Sequence, residues 1–465
     1  MERTTEYWQT QAAACQDALL ADLAPLIAIE SVRDDDAATP EAPFGPGPAK
    51  ALDYMLELAR RDGFDAENID HMAGVIRFGE GEKILGLLAH LDVVPATGEW
   101  LSPPFEATIR DGHLYGRGTS DDKGPAMACY YALKLVRDAG ITPNMQIHLI
   151  LGTDEESKWR CMDRYFATQP MPDMAFSPDA DFPLINGEKG TIELPVHFLG
   201  GDGGKDGTLL TFEAGVRSNI VPEHASCTLN GDNLDALLDA WLATLQQSPA
   251  EGGAERLTNS LRLTCYGKSA HAMEPQVGLN AATTLAAFLT RYDFGAANDF
   301  LHFLGSDLHE DFYGERLGVA HHDDIMGNVT VNPGIVHYDS HEGNIIINFR
   351  YPRGTNIDSI VSTLRTRYGA CIKDPLSTKD VHYIPDDDPL VETLLDIYRD
   401  HTSEQARPQS IGGITYAHVI PRGVAFGMTM PGSDVVIHQP NESLVLADLE
   451  KATAIFADAI YRLTK

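Results

Sequence analysis

The sequence predicts an α/β fold: a two-part α/β domain interrupted by a large inserted α+β domain. Three observations carry this. Short apolar runs at Lys83 to Ala89, Gln146 to Leu151 and Met174 to Phe176 read as buried strands, and each is followed at once by polar residues. After about Gly187 the texture changes to strand and turn signals. Near residue 390 the α/β texture resumes and closes on a helix with a single apolar stripe. The simplest division gives residues 1–187 plus 388–465 to the two-part domain and 188–387 to the insertion.

The elements follow in order. Ala12, Cys15, Leu19, Leu23, Leu26 and Ile27 recur at helical spacing, and a second amphipathic pattern (Leu52, Met55, Leu56, Ala59) starts near Pro48 and stops at Gly63. Gly124 to Asp138 is a dense apolar helix halted by Gly140 and Pro143. In the insertion, the glycine-rich 200–207 reads as a hairpin or surface loop. Leu234, Leu237, Leu238, Trp241, Leu242 and Leu245 mark a helix, and the run 344–352 is a strand closed by Pro352. The terminal helix carries Leu449, Ala452, Ile455, Phe456, Ala459, Ile460 and Leu463 on one stripe.

Composition narrows the function classes. At roughly 150 residues per domain, 465 residues leave room for two or three domains. With 43% hydrophobic and 22% charged residues the chain reads as globular. Thirty-five Lys plus Arg against 68 Asp plus Glu gives a net charge of −33, which repels phosphate backbones and anionic lipid, so neither nucleic acid nor a membrane is expected as a partner. The cysteines are scattered without a C-x-x-C pair, which suggests reduced thiols and a cytoplasmic location. The first thirty residues lack the basic and apolar blocks of a signal peptide, and no apolar run approaches the ~18 residues of a membrane span.

The polar residues after the strands are the ones that suit chemistry. In open α/β sheets ligands bind beyond the carboxyl ends of strands, where His90 and Asp92, the pair Glu155 and Glu156, and Asp179 are expected. The loop 116–125 adds Asp121 and Asp122 at a helix entry; it is no phosphate cradle, because no G-K-[ST] follows its glycines. His438 precedes the terminal helix. Each alone is as readily a buried histidine or a solvated charge run. Together they form a nitrogen and oxygen donor set suited to Zn²⁺, Co²⁺ or Mn²⁺. Adjacent carboxylates such as Glu155 and Glu156 allow one to bind metal while the other stays free as a general base. The run of His and Asp at 321–324 lies between turn signals with no strand end to organise it, and reads as a solvated loop.

The ordered motifs H-L-D-V-V-P, W-x-x-x-P-F, Y-G-R-G-x-x-D-D-K-G-P, D-E-E-S-x-W, S-P-D-A, G-K-S-A-H-A and H-Q-P-N-E, spread from His90 to Glu442, resemble those of the M20 dinuclear metallopeptidases, within them the PepV-type bacterial dipeptidases. The resemblance implies a zinc-exopeptidase-like mixed sheet with helices, and an inserted lid. It implies that His90 and Asp179 bind one metal, Glu156 and His438 the other, and that Asp121 bridges both. Two divalent ions are implied, zinc first, with manganese or cobalt as alternatives. Glu155 would be the general acid/base acting on a metal-bridging water, and Asp92 would orient the His90 ring. In the lid, His271 would stabilise the oxyanion, while Asn219, Arg350 and the loop containing Gly413 and Thr415 would hold the substrate. Ile414 and His418 depart from the family pattern of that loop.

The expected function is a metal-dependent dipeptidase acting on short peptides with a free N-terminus, including those that begin with β-alanine. The lid of about 200 residues implies a monomer, since dimeric family members have shorter lids. An N-acyl-amino-acid amidohydrolase or carboxypeptidase of the same architecture is the nearer alternative; a catalytically silent peptide-binding protein is the more distant one.

Overall fold

Parallel strands covered on both faces carry unbroken apolar runs, and Ile84–His90 is buried at every position for that reason. Gln146–Gly152 lies parallel to it on one side and Met174–Ser177 on the other. The computed structural model, which describes residues 3–434 and 436–465, shows two compact units. One comprises the chain up to Gly187, Tyr383–Gln409 and Ile414–Lys465; the other is Glu188–His382 with Ser410–Gly413. The second unit thus ends at His382, where the sequence had suggested 387, and it takes back four residues of the later glycine-rich loop.

In the first unit Ala73–Phe78 runs antiparallel to Gln146–Gly152, Asp65–Ile69 forms the edge beside it, and Gly423–Ala425 continues the sheet parallel to Met174–Ser177. The edge strand has the polar sequence DAENI with only its last residue buried, so it gave no apolar run to read. Helices Thr5–Ile27, Lys123–Asp138 and Leu446–Leu463 pack on one another and share a core with the sheet. Gly124 is needed at the start of its helix: a Cβ there would lie 2.0 Å from the Thr119 carbonyl oxygen. His90 pairs with Gly152 and Leu87 with Phe176, so the three central strands end nearly level and deliver the residues that follow them to one edge.

The second unit is an eight-stranded antiparallel sheet. Its strands in spatial order are Glu251–Arg256, Leu261–Tyr266, His224–Asn230, Thr208–Ala214, Thr330–Tyr338, Glu342–Tyr351, Gly190–Leu199 and Ser377–Lys379. Leu234–Leu245, Ala281–Leu289 and Ile357–Tyr368 are its main helices. Leu234, Leu237 and Trp241 are buried, whereas Leu242 is exposed: the helix packs along a narrower stripe than its six apolar residues suggest. The glycine-rich segment forms a tight turn in which Gly204 and Gly207 bond to each other before Thr208–Ala214 begins. Residues 321–324 keep His322 and Asp324 exposed, as expected of a solvated loop, but His322–Asp323 pairs with Gly327–Asn328 and Asp323 binds Arg353 at 3.0 Å.

Candidate metal centre

At the level strand ends of the first unit, His90 and the loops after Gly152 and Ser177 meet the loop preceding Lys123. His90 is buried. Its Nδ1 lies 2.9 Å from the main-chain oxygen of Asp92. That oxygen only accepts, so Nδ1 carries hydrogen and Nε2 is turned toward Asp121 and Asp179, at 2.9 Å and 3.6 Å. On the other side, His438 Nε2 is 2.8 Å from both Asp121 Oδ2 and Glu156 Oε1. The two oxygens of Asp121 therefore face different histidines. His438 itself has φ +60°, a left-handed conformation that aims its ring from an irregular loop.

Two triads result, His90 with Asp121 and Asp179, and Asp121 with Glu156 and His438; within each, the donor atoms lie within 4.8 Å of one another. Imidazole and carboxylate donors in this number suit borderline divalent cations. The electrostatics agree with a cation site. Burial pushes the Asp179 carboxyl well above its ordinary range, and Asp122 and Asp121 add to the rise. Glu156 is raised by burial and by Asp121. Burial opposes ionisation of Asp121 too, but hydrogen bonds with His438 and His90 hold it well below the usual range. His438 is drawn up to about 10 by Asp121 and Glu156 against the effect of burial.

Glu155 stands beside this group and belongs to neither triad. Its carboxyl is raised well above 4.5, mainly by burial and further by Glu156. Asp92 fixes both glutamates: its Oδ1 accepts the N–H of Glu155 and its Oδ2 that of Glu156, each at 3.1 Å. Asp92 thus holds the His90 ring through its main chain and the glutamate loop through its side chain. The Asp92 carboxylate is 3.6 Å from the ring nitrogen, beyond a hydrogen bond, so the expected side-chain contact is replaced by the shorter one from the carbonyl.

The end of the first helix and the segment after it meet Lys123, the residue after His90 and the loop after Gly152. Lys123 Nζ donates to Leu26 O at 3.0 Å and Ile29 O at 2.7 Å, Ser31 Oγ donates to Leu91 O at 2.6 Å, and Arg33 pairs with Asp154. Behind the Asp121 loop sits Glu442, a residue to which the sequence assigned no role, with a fully buried carboxylate pushed up to about 7 by burial. Asp122, which the sequence places beside Asp121 without a ligand role, accepts the main-chain N–H of His90 at its Oδ2, 2.9 Å away, and the Asp121–Asp122 peptide is cis.

The second unit holds the remaining predicted residues apart from Thr415. The Asn219 carbonyl accepts the Ala272 N–H at 2.9 Å, which sets the segment of Asn219 alongside that of His271. Arg350 is buried, and burial lowers its pKa to about 10. It donates to Asn348 Oδ1 at 2.9 Å and to Gly412 O at 3.0 Å. Both are neutral partners, unlike those of a structural ion pair. Gly412 is the close-approach residue of its loop, since a Cβ there would meet Met273 at 2.5 Å; Gly413 has more room. A cavity of about 380 Å³ adjoins Gly412 and is lined also by Met273, Glu274, Tyr313 and Thr330. Thr415, in the first unit, uses its hydroxyl to accept the Ala417 N–H at 3.2 Å and so caps the turn Tyr416–Val419.

A family model described as peptidase family M20/M25/M40 matches residues 86–462. A β-Ala-Xaa dipeptidase of Lactobacillus delbrueckii subsp. lactis is 42% identical over 458 residues, spanning 98% of this chain and 97% of that protein. A putative dipeptidase of Staphylococcus epidermidis is 41% identical over 464 residues, spanning 98% and 99%. Among solved structures, the di-peptidase Dug1p of Saccharomyces cerevisiae shares the fold with a TM-score of 0.59 at 13% identity, covering 99% of this chain and 98% of that one. Human carnosine dipeptidase 1 does so with a TM-score of 0.57 at 15% identity, over 99% and 98%.

Proposed function

The chain belongs to peptidase family M20/M25/M40, and from that premise we propose that it is a metal-dependent dipeptidase cleaving short peptides with a free N-terminus. The observation that carries this reading is the pairing of a shared carboxylate, Asp121 between His90 and His438, with a half-buried carboxyl outside both triads, Glu155. A peptide or metal binder has no need of the second. The relatives named as dipeptidases, one of them a β-Ala-Xaa dipeptidase, support the substrate class.

In this reading His90 and Asp179 hold one divalent ion, Glu156 and His438 the other, and Asp121 serves both. When bound, the ions supply Lewis acidity toward the scissile carbonyl and lower the pKa of attacking water. Glu155, made more basic by its burial, takes the proton of that water and returns it to the departing amine nitrogen. Peptide plus water thus gives a free carboxylate and a free amine. Asp92 keeps Glu155 and Glu156 in register through their amide groups. Arg350, buried and hydrogen-bonded to the neutral oxygens of Asn348 and Gly412, takes the carboxylate of the second residue, with Asn219 and the loop at Gly413 as further substrate-holding groups. Thr415, whose hydroxyl caps the turn Tyr416–Val419, is counted in the same reading among the residues that hold the substrate. His271, carried over from the family resemblance, stabilises the oxyanion.

Zinc is the proposed metal, with manganese or cobalt as substitutes. The six free thiols fit a cytoplasmic enzyme, and the size of the insertion fits a monomer. The test is a panel of β-Ala-His, Ala-His and N-acetylated amino acids on chelated protein reloaded with Zn²⁺, Mn²⁺ or Co²⁺. Release of amino acids from the free dipeptides, abolished by chelation, supports the proposal. Preference for the acetylated substrates moves the chain to the deacylases of the same family, and dipeptide binding without hydrolysis makes it a binding protein. Sedimentation of the loaded protein decides the oligomeric state.

A further inference from the structure

Several residues of the sequence motifs have no part in the proposed reaction, among them Trp100, Arg117 and Glu442. They meet behind the loop that carries Asp121. One oxygen of Glu442 accepts three main-chain hydrogens, from Gly118 at 3.0 Å, Ser120 at 3.0 Å and Asp121 at 3.2 Å. Its other oxygen accepts from Arg117 Nη1 at 2.5 Å. Both side chains are buried, at 0% and 1% exposure, and the guanidinium lies 5.3 Å over the Trp100 ring. The Glu442 carbonyl also accepts the Gly116 N–H at 3.0 Å, and Ser120 Oγ donates to the carbonyl of Ser443 at 2.7 Å. Two segments more than 300 residues apart in sequence are thereby locked together.

Successive N–H groups converging on one point make an anion nest, and here a carboxylate of the chain itself fills it. An amide at position 442 offers a single accepting oxygen and sets its own N–H groups against donors, leaving buried hydrogens unpaired. The N–H of Asp121 is held from behind while both of its side-chain oxygens stay turned toward the histidines. We infer that Glu442 is a positioning residue: clamped to Arg117, it shapes the loop 116–121 and thereby sets where Asp121 stands between the two cation sites. It acts through Asp121 and does not touch substrate. The inference rests on the reading that Asp121 serves two cations.

The test is titration of chelated, full-length protein with Zn²⁺ alone, followed by calorimetry and equilibrium dialysis, together with the melting temperature of the metal-free chain. Wild type is expected to take up two equivalents. Glu442→Gln is expected to bind at least ten-fold more weakly and to lose the tight second equivalent; Arg117→Lys, which keeps the charge but not the planar fork, lies between. Asp458→Asn is the matched control, since Asp458 on the terminal helix is equally buried and bonded to Arg462 of that helix and to His401 of the helix Pro389–Thr402. It should lower the melting temperature and leave both equivalents in place. In the Co²⁺-loaded proteins the visible spectrum should change for Glu442→Gln and not for Asp458→Asn. Zinc binding by Glu442→Gln equal to wild type, or weakened no more than in Asp458→Asn, overturns the inference. If Glu442→Gln does not fold, Arg117→Lys against Asp458→Asn decides it by the same readout. A wild-type chain that fails to take up two ions overturns the reading of the centre instead.

Discussion

The two units bury charge in opposite ways. The first gathers Asp121, Glu155, Glu156 and Asp179 at its strand ends with only two histidines between them, so carboxyl groups are pushed out of their ordinary range by burial and by one another. The second buries one guanidinium, Arg350, and gives it an amide oxygen and a carbonyl as partners. In the proposed reading the crowded carboxylates take cations and Arg350, whose hydrogen bonds go to neutral acceptors, takes an anion. A dipeptide needs both services, Lewis acid at its peptide bond and a counter-charge at its carboxylate.

Four substitutions and one pH series bear on that contrast. Glu155→Gln should cost turnover most, roughly 10²- to 10⁴-fold, as expected for loss of a general acid/base, with two ions still bound; loss of the ions instead would make Glu155 a ligand and erase its distinction from Glu156. His271→Ala should reduce kcat by roughly 10²- to 10³-fold and leave metal content unchanged, so metal analysis beside kinetics separates it from the first unit. Arg350→Met removes a charged hydrogen-bond donor worth about 1.5–3 kcal/mol, and should appear mainly as a raised KM for free dipeptides. An equal KM for a substrate whose C-terminus is amidated would show that Arg350 does not meet the carboxylate.

The metal-free chain offers a subtler test. Glu155, Glu156 and Asp179 have folded-state values above their ordinary ones, and Glu442 is raised to about 7. Between pH 5 and 7 the folded chain therefore holds protons that the unfolded chain has released, and stability falls as pH rises through that window. Asp121, shifted downward, acts in the opposite sense only near and below its ordinary 3.8. Chelated protein should melt at a higher temperature at pH 5 than at pH 7, by differential scanning calorimetry, and saturating Zn²⁺ should remove or reverse the trend. The smallest effect is expected of His322→Ala, in the short hairpin of the second unit: two ions bound, activity unchanged.

The strand-end residues were legible because a buried parallel strand leaves an unbroken apolar run and then stops, and His90, Glu155, Glu156 and Asp179 each follow such a stop within a few positions. Asp121 is preferred to Asp122 as the bridge only through family resemblance, since Asp122 beside it is equally acidic; the two differ in which way each carboxylate turns. The clamp of Arg117 on Glu442 left no periodic trace, because its partners are 325 positions apart. That Met273 packs against Gly412 rather than Gly413 was not legible, because two adjacent glycines look alike in sequence. The polar edge strand Asp65–Ile69 was invisible to any search for apolar runs.

The two triads also differ in when the chain can complete them. His90, Asp121 and Asp179 all lie in the first 179 residues, so the ligands of one site are present once that length has left the ribosome. The other waits for His438, more than half the protein later. Through most of its synthesis the nascent polypeptide therefore carries a complete first set of ligands, while Glu156 and the far oxygen of Asp121 still lack their histidine. The order in which the two sets of candidate ligands are synthesised is thus set by chain direction, and the second is complete only just before the terminal helix Leu446–Leu463.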